Sequence, residues 1–447
     1  MFSKESLSYE RIFMRKGLIR FLISIRERRI VQIAQKTMVS VFPFILLATV
    51  TSIFSETFFN RGGYINHLFK ISDWFPYFNL IGRTISNFVL LIGGLTGSAT
   101  CYFATKFTVM SYKFTSETAG ITALIFSLII NSRAIFDADI NDGELTRINL
   151  TTSFNLFFAI CIGFLIGQIF RRFSPSDNQM LDENSAYRPR SIRPILISFI
   201  IAVTCNMLYT IGSQYNIFSS IETYIGAFFT VSSGLFQSVI NAILRSLSAW
   251  VGNSSPYTEI VFDTDAKALA NLNAALSNKG TGSIPYLFSV TNLYTSYGAL
   301  AGLGGVLALV VAVIWKSSSD RNQNIAVRCI FPALFNHGSP VMLGIPVALN
   351  VIYLVPFIIA PIINVLVAAI LLYFKVVPPS VYPVPTGTPS ILYAFVGSAG
   401  SLRTLALTIL LFAMDVLIYI PFVKLDDRLH DMILSSEMEG GNDEEQR

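Results

Sequence analysis

Apolar residues come in runs long enough to cross a bilayer, and the polar stretches between them mark where the chain leaves it. Residues 10 to 30 mix apolar positions (Ile12, Phe13, Leu18, Ile19, Phe21, Leu22, Ile25) with basic ones, the pattern of an amphipathic helix on a membrane surface. Strong apolar runs follow at about 31 to 58, 84 to 104, 117 to 131, 153 to 170, 194 to 212, 293 to 315 and 404 to 423, with a softer helical stretch from 218 to 250. A polar helix around Asp265 to Leu276 and a Gly-Ser turn at 280 to 283 interrupt the pattern. Gly93 with Gly97, and Gly298 with Gly302, put small residues four apart and are expected to let helices pack closely.

The region from 329 to 402 behaves differently. Between Arg328 and Arg403 Lys375 is its only charged residue, yet Pro332, Pro340, Pro346, Pro356, Pro361, Pro378, Pro379, Pro383, Pro385 and Pro389 break it. A bilayer core offers no water to satisfy freed backbone groups, so irregular backbone survives there only inside protein or along a wet cavity. Broken helices of this kind build the substrate sites of carriers. The fold expected is all-α, a polytopic membrane protein of about ten transmembrane helices with broken or re-entrant segments in the C-terminal half. It divides into an amphipathic segment (1–30), a transmembrane domain (31–424) and a charged tail (425–447).

Composition agrees with a membrane class: 53% of residues are hydrophobic and 13% charged, where a soluble domain carries about 25% charge. The net charge of +5 is topological and does not point to nucleic acid. Lys4, Arg11, Arg15, Lys16, Arg20, Arg26, Arg28, Arg29 and Lys36 crowd the start, and Arg171, Arg172, Arg188, Arg190 and Arg193 crowd one loop. Basic loops stay on the cytoplasmic side, so these segments, the Lys316 to Arg328 loop and both termini are expected in the cytoplasm. The loop holding Arg61, Gly62, Gly63, His67, Asp73 and Trp74, and the acidic 132 to 150 loop (Asp137, Asp139, Asp142, Glu144), are then external. The basic start is too long for a secretory signal. Cys101, Cys161, Cys205 and Cys329 lie far apart in or beside apolar runs, with neither metal-site nor CxxC spacing. No metal or cofactor site is expected.

Three features carry candidate chemistry. Phe335-Asn336-His337-Gly338-Ser339-Pro340 places an amide, an imidazole and a hydroxyl at a Gly-Pro break in an apolar stretch. Asn336, His337 and Ser339 supply the paired donors and acceptors that a sugar hydroxyl needs; their structural alternative is to cap a broken helix. Trp250-Val251-Gly252-Asn253-Ser254-Ser255-Pro256 is a second polar break. There Trp250 is a candidate to stack on a sugar ring and Asn253 and Ser254 to bond it; an interfacial Trp followed by a turn is the alternative. Asp415 stands alone in the last span, a candidate functional acid or the partner of a Lys, Arg or hydroxyl.

At these residues the chain resembles a known family. The run Asn336 to Asn364, with Gly344-Ile345-Pro346, Ala348-Leu349-Asn350, Val355-Pro356-Phe357-Ile358-Ile359-Ala360-Pro361 and Asn364, is similar to the signature of the membrane (IIC) subunit of the phosphoenolpyruvate-dependent phosphotransferase system, lactose/cellobiose/diacetylchitobiose family. Tyr112-Lys113 with Ala119-Gly120, Ile284-Pro285-Tyr286, and Tyr419-Ile420-Pro421-Phe422-Val423-Lys424 resemble further parts of it, in the same order. The resemblance implies a ten-span, homodimeric permease in a bacterial plasma membrane. It would bind a disaccharide-type sugar and present it to a cytoplasmic IIB subunit carrying a phosphocysteine, itself charged through IIA. Two departures stand out. The family has an Asn-Glu-Pro run whose acid binds the sugar, and here the matching positions are Gly338, Ser339 and Pro340. The family's Gly-Ile-His-Gly run falls near Trp250 to Ser255, where no histidine occurs; the three are His67, His337 and His430. A IIC-derived sensor or scaffold that moves nothing, and an ion-coupled symporter using Asp415, remain alternatives at this point.

Overall fold

The computed structural model of the chain describes residues 17, 21–112, 117–136, 156–173, 192–215, 234–252, 266–277 and 280–445. Residues 137–150 of the acidic loop, residues 174–191 of the basic loop, and Asn253 and Ser254 lie outside these. Seven helical segments among the described residues are long and apolar enough to cross a membrane: Arg29–Phe58, Phe78–Ser111, Leu156–Phe173, Ile192–Gly212, Thr291–Lys316, Val351–Tyr373 and Leu402–Ile433. The expected total of about ten is not reached among them. Thr118–Ile130 adds a shorter apolar helix.

The N-terminal half is a bundle of α1 (Arg29–Ile53), α2 (Phe78–Ser111), α3 (Glu117–Phe136), α4 (Leu156–Phe173) and α5 (Ile192–Gln214). α2 packs against α1, α3 and α4, and α5 closes on α3. Small residues make this approach possible. A β-carbon at Gly163 would collide with Ala104 and the Cys101 carbonyl, and one at Gly167 with Thr108. Thr105 Oγ1 donates across the seam to the Gly163 carbonyl at 2.9 Å. Of the glycine pair expected on α2, Gly97 is buried and Gly93 has open space around it. Several hydroxyls inside the spans bond back to their own helix, Thr37 to the Ile33 carbonyl at 2.7 Å and Thr51 to the Leu47 carbonyl at 2.8 Å, which satisfies these donors without water. Large side chains such as Phe44, Leu47, Leu91, Ile200 and Leu208 are exposed, as lipid-facing positions should be.

The C-terminal half contains α6 (Leu235–Trp250), α7 (Ala266–Ser277), a broken span ending in α8 (Val306–Lys316), α9 (Asp320–Leu334), α10 (Ser339–Gly344), α11 (Val351–Tyr373), α12 (Ser390–Gly397) and α13 (Leu402–Glu445). The apolar run expected as one helix over 293 to 315 is a π-helical turn (Thr291–Gly298), a break, and then α8. Ala301, Gly302, Gly304 and Gly305 all have positive φ there, a backbone that glycine tolerates and hydropathy does not reveal. Gly298 does serve close packing, with Val365 of α11 where its β-carbon would be, whereas Gly302 serves the turn. α8 is central: Val306, Ala308, Leu309, Val310 and Ala312 are fully buried in the main core. The last helix does not stop at the charged tail; α13 continues through it to Glu445.

Two buried aspartates show how the broken region is threaded. Asp427 accepts from Ser317 Oγ at 3.0 Å and Ser318 N at 2.7 Å, just before α9. Asp426 accepts from Asn350 Nδ2 at 3.3 Å and Tyr353 Oη at 3.3 Å, just after α10. The chain thus leaves and returns at one level. α9 has 15 residues, about 22 Å of helix, too short for a hydrocarbon core of about 30 Å. Residues 319 to 349 form a re-entrant hairpin with Phe335 to Gly338 at its tip. α11, at 23 residues, is long enough to cross, so the next hairpin starts from the opposite side. Val381 N and Tyr382 N both donate to the Gly397 carbonyl at 2.9 Å, closing a second loop whose tip is Thr386 to Thr388.

Arg26 binds Asp426 (Nη1 to Oδ1, 3.0 Å), which ties the N-terminal segment to the same level. Arg29 and Arg171 stack on the Tyr112 ring at 5.2 and 3.9 Å. The hydrogen bond from Gln168, aided by these two guanidiniums, holds the Tyr112 phenol below its usual pKa. The start of α1, the end of α2 and the end of α4 therefore share one side of the molecule.

Candidate functional site

Three segments converge on His337. The first is the tip between α9 and α10. Phe335 N and His337 N donate to the Pro332 carbonyl at 3.2 and 2.9 Å, and Asn336 N to the Ala333 carbonyl at 3.2 Å. Asn336 sits at φ 67°, a left-handed helix ending that Asn adopts more readily than most residues. Its backbone therefore does close the helix. Its side chain has another role: Nδ2 donates to the Thr388 carbonyl at 3.2 Å, joining the two hairpin tips while the residue stays exposed. The His337 Nδ1 atom lies 2.8 Å from the Phe335 carbonyl. A carbonyl only accepts, so in the neutral ring Nδ1 carries the hydrogen and Nε2 is left as an acceptor. Ser339, half-buried, opens α10.

The second segment is the far end of α1. Beyond Ile53 the helix widens into a π-turn over Phe54–Phe58, a form frequent at functional sites. From this turn Glu56 brings Oε2 to 3.7 Å from His337 Nε2, with the two side chains 37% and 27% exposed. Ser52 Oγ donates to Glu56 Oε1 at 2.6 Å and fixes the carboxylate. The gap to His337 is too long for a direct hydrogen bond, so both groups keep bonding capacity for something between or beside them.

The third segment is the tip of the second hairpin. Thr386 N donates to the Gly62 carbonyl and Tyr64 N to the Thr386 carbonyl, both at 2.9 Å. Two glycines allow this docking. A β-carbon at Gly63 would run into the Glu56 and Thr57 carbonyls, and one at Gly387 into the Thr57 side chain. Glu56 is consequently held by the same contacts that join α1 to the second tip.

Of the residues singled out from sequence, Asn336, His337 and Ser339 are together at this meeting point. Trp250 is elsewhere. Its Nε1 donates to the Asn350 carbonyl at 2.9 Å, and its own carbonyl accepts from Leu349 N at 3.0 Å. That places it at the base of the first hairpin, beside the Asp426 cluster, with its ring half-buried against the main core. Asn253 and Ser254 lie outside the described residues. The residue that sequence reasoning missed is Glu56. Its only signal is a lone acid in the aromatic run Phe54-Ser55-Glu56-Thr57-Phe58-Phe59, which reads equally as an interfacial charge.

Two re-entrant hairpins entering from opposite sides, with their tips meeting beside polar side chains, define a carrier-type membrane protein. The chain belongs to the phosphotransferase system EIIC family, whose model matches residues 102–361. Among curated proteins, it is 27% identical over 252 residues to the PTS system lactose-specific EIICB component of Streptococcus mutans, a match covering 56% of this chain and 44% of that one. It is 32% identical over 142 residues to the PTS system cellobiose-specific EIIC component of Lactococcus lactis subsp. lactis, covering 32% and 29%. The chain thus matches less than half the length of these relatives. Among solved structures, the transporter ChbC, the IIC component from the N,N'-diacetylchitobiose-specific phosphotransferase system, aligns over 93% of this chain and 98% of its own, with 19% identity and a TM-score of 0.42.

Proposed function

We propose that the chain is the sugar-binding permease subunit of a phosphotransferase system, taking a disaccharide-type sugar at the meeting point of α1 and the two hairpin tips. The observation that carries this reading is the half-exposed Glu56 and His337 pair, 3.7 Å apart and anchored by Ser52 and the Phe335 carbonyl. Both are acceptors in that arrangement, suited to hydroxyls that donate. The Glu56 carboxylate makes the charge-assisted bond, roughly twice as strong as a neutral one. Ser339 supplies a hydroxyl that can donate or accept, and Asn336 an exposed amide oxygen. In this reading Glu56 substitutes, from a different helix, for the acid that the family carries at the position of Ser339. Trp250, Asn253 and Ser254 are secondary, since Trp250 spends its donor on the hairpin base.

The partners belong to the same proposal: a cytoplasmic IIB subunit as phosphoryl donor, IIA behind it, and a second copy of the chain in a homodimer within the bacterial plasma membrane. We place the N-terminal segment, the Arg171 to Arg193 loop, the Ser317 turn and the start of the charged tail on the cytoplasmic side. The support is that Arg26, Ser317, Ser318 and the Asp426 and Asp427 pair are bonded together. A cysteine placed at Ser185 should stay silent to a membrane-impermeant reagent in intact cells while one at Asp142 reacts; labelling with the reverse pattern refutes this orientation. Transport is tested in vesicles holding the general phosphotransfer proteins and a candidate IIB, with lactose, cellobiose and diacetylchitobiose as probes. Phosphoenolpyruvate-dependent uptake is expected, and uptake that instead collapses with the proton gradient contradicts it. Sugar binding with no uptake for any IIB partner would favour a sensor.

A further inference from the structure

The last span holds one acid in its interior, and the site above makes no use of it. Asp415 is fully buried and faces Asn364 of α11, which is 1% exposed. Asn364 Nδ2 donates to Asp415 Oδ2 at 2.8 Å. The two remaining oxygens, Asp415 Oδ1 and Asn364 Oδ1, are enclosed and have no hydrogen-bond partner. Among the described residues no Lys, Arg or His forms an ion pair with Asp415. Tyr419, one turn further along α13 and within electrostatic reach of Asp415, gives its hydroxyl hydrogen to the Gly304 carbonyl.

An ionised carboxylate sealed inside a membrane protein with a single bond from a neutral amide is a costly arrangement. It would also leave the amide oxygen without a donor. One proton removes both difficulties. With Asp415 neutral, its Oδ1 becomes an O–H donor, and the free oxygen of Asn364 is the acceptor it lacks. An acid and a primary amide then close a two-bond ring, N–H to the acid carbonyl and O–H to the amide carbonyl. We propose that Asp415 is an intramembrane proton-binding site, occupied in this conformation, whose bound proton completes an acid–amide link between α13 and α11. A metal cation fits less well, because it takes about six oxygens and this side-chain pair offers two without a partner.

The link lies across a glycine turn from the binding region. The break in the Thr291–Lys316 span lies between the two: a β-carbon at Gly305 would be 3.7 Å from Asp415 Oδ2, and one at Gly302 would be 3.7 Å from the Asn336 carbonyl oxygen. Neutral Asp415 thus backs the same glycine turn that the first hairpin tip rests against.

Infrared difference spectra of the full chain in lipid nanodiscs, unaltered against Asp415→Asn, test the proposal. At neutral pH the unaltered chain should show the carbonyl stretch of a protonated carboxyl group, shifting in heavy water and missing in the variant. Asp415→Asn should keep the fold, melting within a few degrees of the unaltered chain, because an amide preserves one bond of the ring. A carboxylate signature at neutral pH in its place overturns the proposal. So does stabilisation of the unaltered chain by sodium that Asp415→Asn abolishes, which would make the ligand a metal cation. If Asp415→Asn does not fold, carbon-13 labelling of aspartate carboxyls in the unaltered chain gives the same reading, and no neutral carboxyl group at neutral pH overturns it.

Discussion

Two of the acid-containing clusters in the C-terminal half and its contacts are built in opposite ways. Glu56 and His337 come from segments far apart in sequence, stand 3.7 Å apart and keep about a third of their side-chain surface open. Asp415 and Asn364 are locked at 2.8 Å and sealed. Each anchor of the open cluster occupies one side of a group and leaves another side free: Ser52 holds one carboxylate oxygen, and the Phe335 carbonyl holds one imidazole nitrogen. The spare oxygens of the sealed cluster are enclosed and have no hydrogen-bond partner. An acid at membrane depth is therefore read by where its unspent bonding atoms point. When they face open space the group is available to a ligand; when they are enclosed without a partner, a bound proton supplies the missing bond.

Four substitutions set the clusters against each other. The largest effect is expected for Asp415→Ala, which opens a cavity and strands the Asn364 amide, at a cost of about 2–5 kcal/mol. Thermal unfolding should fall sharply while sugar affinity in the surviving protein is unchanged; a sugar-affinity loss with normal stability would erase the distinction. Next is Gly63→Ala. Its methyl group has only the Glu56 and Thr57 carbonyls to push against, so the π-turn must shift, with about 1–3 kcal/mol of overpacking and weaker sugar binding together. Normal stability and binding would show that Glu56 is not held by this contact. His337→Ala should weaken sugar binding by about 1–3 kcal/mol, the usual loss when one partner of a hydrogen bond is removed and the other is left unpaired in the complex, without altering insertion or melting. Unchanged affinity would return the hairpin tip to a capping role. The smallest effect expected is rescue: Ser339→Glu in a Glu56→Gln background restores a carboxylate at the family's position and should recover on the order of 1 kcal/mol of binding. No recovery would mean that the cleft cannot use an acid from that side.

How much of this was legible beforehand depended on whether a feature is local. The prolines from Pro332 to Pro389 forecast re-entrant backbone because each one removes a donor. The chain does break near Pro340, Pro346 and the Pro378 to Pro389 run, whereas Pro332 lies inside α9 and Pro356 and Pro361 inside α11. Asn336 and His337 were visible as polar residues in an apolar run, and Asp415 for the same reason. Glu56 was not, because its meaning comes from a long-range contact; beside Phe58 and Phe59 it looks like the end of a span. The break at Gly302 was hidden by apolar neighbours, since hydropathy is blind to φ, although Gly302-Leu303-Gly304-Gly305 was a signal. The position of Trp250 was not legible either, because its indole N–H donates to the carbonyl of Asn350, 100 residues away.

The central claim is that Glu56, and not a residue at the family's usual position, provides the carboxylate of the sugar site. The most direct measurement is titration calorimetry of the purified chain with lactose, cellobiose and diacetylchitobiose, comparing the unaltered protein with Glu56→Gln, which keeps size and hydrogen bonding but removes the charge. The account predicts roughly tenfold weaker binding of whichever sugar is recognised, the equivalent of about 1.4 kcal/mol for exchanging a charge-assisted bond for a neutral one, with the melting temperature unchanged. Equal affinity for Glu56→Gln and the unaltered chain would contradict it.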